Sequence, residues 1–169
     1  MQTESAKMSS RAEARFRIDA PNSKPRQIKV VALDCTSEAV VTWLAGQRWN
    51  NASFFTASAF AGAPPERGFS MQGWLADLTG RTRDLITEID SADLVVMVAA
   101  AGENAQAAAL IGEACSLRRV NTTGLILTGP SATDDLLSRT LAQLRPWSLM
   151  VVIAEGENYI EDMLLALRA

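Results

Sequence analysis

The 169-residue chain has no histidine. That removes Ser-His and Cys-His nucleophile pairs, the usual imidazole base and the commonest metal ligand. Lysine occurs at Lys7, Lys24 and Lys29 and nowhere later, so the body of the chain offers neither a Schiff-base lysine nor the lysine of a Walker-type phosphate loop. Cys35 and Cys115 are the only cysteines. Two so far apart make neither a disulfide framework nor a zinc site, and both are expected as free thiols, Cys35 as a small, semi-buried residue. No apolar run approaches the roughly 20 residues that span a bilayer, and the start of the chain lacks the apolar core of a secretory signal. A soluble, cytoplasmic protein with no membrane partner is the expectation.

What is present is apolar and unevenly charged. Apolar residues make up 48% of the chain and charged ones 21%, enough core for a single domain. Lys7, Arg11, Arg15, Arg17, Lys24, Arg26 and Lys29 outweigh Glu4, Glu13 and Asp19 in the first 29 residues, and the remainder is acidic. Residues 1–26 read as a flexible basic tail ending in Pro21-Asn22-Ser23-Lys24-Pro25, and residues 27–169 as the domain. Short basic tails are commonly solvated, so nucleic acid is not an expected partner.

From Ile28 the pattern alternates between apolar strands and helical segments. Strands are expected at Ile28–Leu33, Ala52–Ala57, Leu94–Val98, Gly124–Thr128 and Ser148–Ile153. Their runs are too apolar for half-exposed strands, as when helices cover both faces of a parallel sheet. Helices are expected from a cap at Thr36 or Ser37 to Gln47, through Leu85, Ile86 and Ile89, over Asn104–Arg118, from Thr133 to before Pro146, and over Glu157–Arg168. Residues 61–80, rich in Gly and Pro, read as a long excursion with one helical turn at Met71–Leu78. The fold class that follows is α/β: a three-layer, doubly wound, mostly parallel sheet of five strands.

Ligands of such sheets bind beyond the carboxyl ends of the strands, which points to four loops: Asp34–Ser37, Ala99–Asn104, Thr128–Thr133 and Glu155–Asn158. No glycine occurs between Ile28 and Ala45, so NAD or FAD binding through the usual glycine fingerprint is not expected. Gly102 and Asn104 sit where backbone N–H groups could meet an anion, but Glu103 between them would repel a phosphate and is read as a helix-start acid. Asp34, Glu103, Glu155 and Glu157 are read as solvated loop acids rather than a metal site. The four tryptophans, Trp43, Trp49, Trp74 and Trp147, are expected in the core, except Trp74, which lies in the excursion and could anchor a homo-oligomer or protein contact.

Ser91-Ala92-Asp93-Leu94-Val95-Val96-Met97-Val98-Ala99-Ala100-Ala101-Gly102 followed by Ala107-Ala108-Ala109-Leu110-Ile111 resembles the nucleotide-binding domain of the tubulin/FtsZ family. There a similar strand runs into a glycine-rich phosphate loop and an alanine-rich helix. The resemblance extends over residues 28–160. It implies a Rossmann-like fold, phosphate contacts near Asp34, Thr36, Ser37, Gly102, Glu103 and Asn104, and ribose contacts from Asp135 and Arg139, which keep the family's spacing of four. The family's Gly-Gly-Gly-Thr-Gly-Thr-Gly loop is here Ala101-Gly102-Glu103-Asn104-Ala105-Gln106-Ala107. Each added Cβ obstructs backbone approach and Glu103 adds like charge. GTP affinity is expected to be weak at most, and no catalytic residue is assigned. The loop also resembles, in length but without its serines, the phosphosugar loop of the sugar isomerase (SIS) fold. Two functions follow as expectations: a non-catalytic regulatory or interaction module, or a small enzyme or sensor for a nucleotide or phosphosugar.

Overall fold

The computed structural model describes residues 25–60, 75–155, 157–167 and 169. In chain order the elements are β1 (Ile28–Ala32), α1 (Cys35–Ala45), β2 (Ala52–Thr56), β3 (Leu75–Asp77), β4 (Thr82–Arg83), α2 (Leu85–Asp90), β5 (Leu94–Ala100), α3 (Ala107–Arg118), β6 (Asn121–Leu127), α4 (Asp134–Leu144), β7 (Met150–Ala154) and α5 (Glu157–Ala166). Short 3₁₀ turns follow β2 at Ser58–Phe60 and α4 at Arg145–Trp147.

The sheet order is β4-β3-β2-β1-β5-β6-β7. The five strands expected from sequence are all present and mutually parallel, with Val30 opposite Phe54 on one side and Val96 on the other. Strand order reverses direction between β1 and β5, which makes the carboxyl ends of these two strands the switch point of the sheet.

Alternation along the central strands feeds two cores. Ile28, Val30 and Ala32 of β1 pack with Val41 and Leu44 of α1 and Ile160 and Leu164 of α5. Val31 and Leu33 pack on the other face with Leu85 and Ile89 of α2 and Ile111, Ala114 and Cys115 of α3. β1 and β5 are buried at every residue, as strands with helices on both faces must be. Lys29 occupies an inward position near the start of β1. Its Nζ pairs with Glu88 Oε2 at 3.0 Å and lies 5.7 Å from the centre of the Phe55 ring, which satisfies the charge it carries into the sheet.

Several expectations need correction. Among the described residues the sheet has seven strands, not five: β3 pairs antiparallel with β2, with Thr56 opposite Ala76, and β4 pairs antiparallel with β3. Strands of three and two residues are too short to show a period, and the open edge of β2 is what draws them into the sheet. The helical turn expected at Met71–Leu78 is a strand where it is described, at Leu75–Asp77; its first four residues lie outside the described part. Trp43 is 38% exposed rather than in the core. Cys35 is exposed, not semi-buried, because it is the first residue of α1.

Candidate functional site at the carboxyl edge

The β1–α1, β5–α3 and β6–α4 loops meet at the switch point around a cleft of about 400 Å³. Val40, Leu127 and Leu136 form its apolar walls, and Thr36, Glu103 and Ser131 supply polar atoms. A second hollow, of about 440 Å³, adjoins it at Thr128, Gly129 and Ala132 and is lined further by Thr133, Asp134 and Glu155.

Asp34 is the N-cap of α1, in place of the expected Thr36 or Ser37. It is buried, and its Oδ1 accepts the Ser37 N–H at 2.7 Å while the Ser37 hydroxyl lies 3.3 Å from the Asp34 N–H, a capping box. Its Oδ2 accepts the Ala100 N–H at 2.9 Å. The carboxylate therefore joins the end of β1 to the end of β5, with both oxygens committed inside the fold. Ser37 is likewise buried. Thr36 is exposed at the cleft and its hydroxyl reaches Glu103 Oε1 at 3.4 Å.

The β5–α3 loop decides what the cleft can hold. Five of its backbone N–H groups are spent on internal acceptors. Ala101 donates to the Leu127 carbonyl at 2.9 Å, Gly102 to Thr140 Oγ1 at 2.9 Å, and Glu103 to the Ala100 carbonyl at 3.1 Å. Ala105 donates to Gln143 Oε1 at 2.7 Å and Gln106 to Asn104 Oδ1 at 3.0 Å. A phosphate loop works by leaving such groups free to converge on an anion. Gly102 retains the positive φ of 90°, but its open side faces α4: a Cβ there would come within 2.9 Å of Leu136 Cδ2. Helix α3 begins only at Ala107. Glu103 is therefore a loop residue at the cleft mouth and not the helix-start acid the sequence suggested.

Asp135 and Arg139 are exposed on α4, and neither lines the cleft. Of the eight residues singled out from sequence, Thr36 and Glu103 line the cleft, Asp34, Ser37 and Gly102 support it from within, and Asn104 orders the approach to α3. Sequence reasoning missed Thr140 and Gln143, the α4 side chains that fill the loop's hydrogen-bonding capacity. The available signal was polar residues recurring beside Leu136 and Leu144 on the inward stripe of an otherwise amphipathic helix. Among the described residues no group of three or more Cys, Asp or Glu side chains is placed to hold a metal ion. No described helix is long and apolar enough to cross a membrane.

No protein-family model and no curated protein matches the chain. Among solved structures it is similar to the apo form of translation elongation factor SelB from Methanococcus maripaludis, at 14% identity and a TM-score of 0.44. That match covers 85% of this chain, which spans 37% of the factor's length.

Proposed function

We propose that the chain is a non-catalytic regulatory or interaction module, built on a Rossmann-like domain similar to the nucleotide-binding domain of the tubulin/FtsZ family, whose phosphate site has been filled in. The observation that carries this reading is the β5–α3 loop, where Thr140, Gln143, Asn104 and the Asp34 carboxylate take up N–H groups that a phosphate would need. Glu103, the charged residue at the cleft, has the same sign as a phosphate. Trp74, the contact expected from sequence, lies outside the described residues.

The cleft itself supports a second reading, a sensor or enzyme for a nucleotide or phosphosugar, since its volume falls in the range of small-molecule sites. One experiment separates the two. Thermal unfolding of the 169-residue chain is followed with GTP, ATP, NAD, FMN and sugar phosphates, each with and without Mg²⁺. The module reading expects no shift with any of them. A ligand at a hundredfold excess over its dissociation constant stabilises by about 2.7 kcal/mol, and such a shift overturns the reading.

A further inference from the structure

The two edges of the sheet are finished in opposite ways. One ends in β4, two residues long, in a hairpin where Arg81 and Arg83 both pair with Asp77. Short, charged strands of this kind discourage pairing with another sheet. The other edge is β7, which among the described residues has β6 as its one neighbour. Leu149-Met150-Val151-Val152-Ile153 is an uncharged apolar run without proline, in regular register from Thr123 opposite Met150 to Leu127 opposite Ala154. None of the five is fully buried, and Leu149, Met150 and Ile153 are 79%, 52% and 47% exposed. A groove of about 470 Å³ runs alongside, between Leu141, Arg145 and Leu149.

We propose that β7 is a docking edge for a second copy of this chain, the two β7 strands pairing antiparallel across a twofold axis to make one continuous sheet. The proposal rests on the interaction-module reading and names its partner. Charge selects the occupant and its direction. Exposed Arg145 precedes the strand and exposed Glu155 follows it. Antiparallel self-pairing sets the basic end of one copy beside the acidic end of the other, twice over, whereas parallel pairing sets like against like. The uncharged strand between them complements itself, as an isologous contact requires. Leu149 and Ile153, on the groove side of the strand, then cover the same side of the second copy.

Sedimentation equilibrium of the 169-residue chain over a concentration series tests this. The expected result is a reversible monomer–dimer equilibrium, with Ile153→Lys raising the dissociation constant by roughly tenfold or more. Leu149→Glu, at a position open to solvent, is expected to do the same without disturbing the fold, as thermal melting would show. Arg145→Glu should weaken the dimer and the double exchange Arg145→Glu/Glu155→Arg should restore it. A chain that stays monomeric throughout overturns the proposal, as does a dimer insensitive to all of these changes. A monomer indifferent to nucleotides overturns this interface and leaves the module reading intact, whereas nucleotide stabilisation overturns the module reading at any oligomeric state.

Discussion

The Asp34 carboxylate caps α1 through the Ser37 N–H and accepts the Ala100 N–H, 66 positions away, at 2.9 Å. One side chain thus holds both sides of the switch point in place. Asp34→Ala removes the cap and leaves the Ala100 N–H buried without its acceptor. The expected cost is about 3 kcal/mol, from a cap worth about 1 and a charge-assisted bond worth about 2. Asp34→Asn keeps one acceptor oxygen and should cost less. Urea unfolding of the three proteins measures the order, and equal stability would show that the bridge contributes nothing.

Gly112 of α3 lies against Trp147, and a Cβ at that position would fall 2.4 Å from Trp147 Cβ and 3.2 Å from its Cα. The obstacle includes backbone, so neither group can simply rotate away. Gly112→Ala is expected to destabilise by about 2 kcal/mol despite its better helix propensity. Gly129, with nothing within 4 Å of its would-be Cβ, is the control: Gly129→Ala should change stability by roughly 0.5 kcal/mol or less. The contrast is read from denaturation midpoints.

Asp77 ties the β3–β4 hairpin together. The Thr79 hydroxyl bond, the Arg81 and Thr79 backbone N–H groups and the Arg81 charge hold its carboxyl well below the ordinary value of 3.8, against the opposing effect of burial. A depressed pKa contributes stability that is present above pH 3.8 and is lost as pH falls below it, because the unfolded chain takes up the proton first. Asp77→Asn is therefore expected to show a flatter decline on the acid side of pH 4. Urea midpoints between roughly pH 2 and 5 compare the slopes, and identical slopes would remove Asp77 from the acid limb.

The two thiols differ in reach. Cys35 is exposed at the start of α1, while burial pushes Cys115 up to about 12, against a smaller opposing effect of Arg118. A thiol-specific reagent at pH 8 should label Cys35 in the native protein and both cysteines after unfolding. The raised Cys115 value also has a linkage sign: above the ordinary 9.0 the unfolded thiol ionises first, so stability declines as pH rises beyond it. Cys115→Ala should lack that alkaline decline.

The five parallel strands and the helices between them were legible because each is long enough to carry its own period and composition. Ile28–Ala32 and Leu94–Ala100 are apolar at nearly every position, which in water is tolerable only under cover on both faces. The Thr133 cap of α4 was likewise a local matter, a hydroxyl accepting the Leu136 N–H. β3 and β4 were not legible, because strands of three and two residues owe their conformation to the edge of β2 and not to their own side chains. The loops at the carboxyl edge were correctly located by the alternation of elements. Their chemistry was not. Whether an N–H group waits for a ligand or is already satisfied depends on acceptors such as Asp34, Thr140 and Gln143, which come from distant elements and meet the loop only on folding. The sequence by itself determined the alternating elements and the loops at the carboxyl ends of the strands, because local periodicity and capping are properties of neighbours along the chain, whereas the strand order that sets the switch point came from the fold. Only the tertiary structure decided that N–H groups of the β5–α3 loop are bonded within the fold and that β7 has β6 as its one strand neighbour among the described residues, because both are relations between residues the chain keeps far apart.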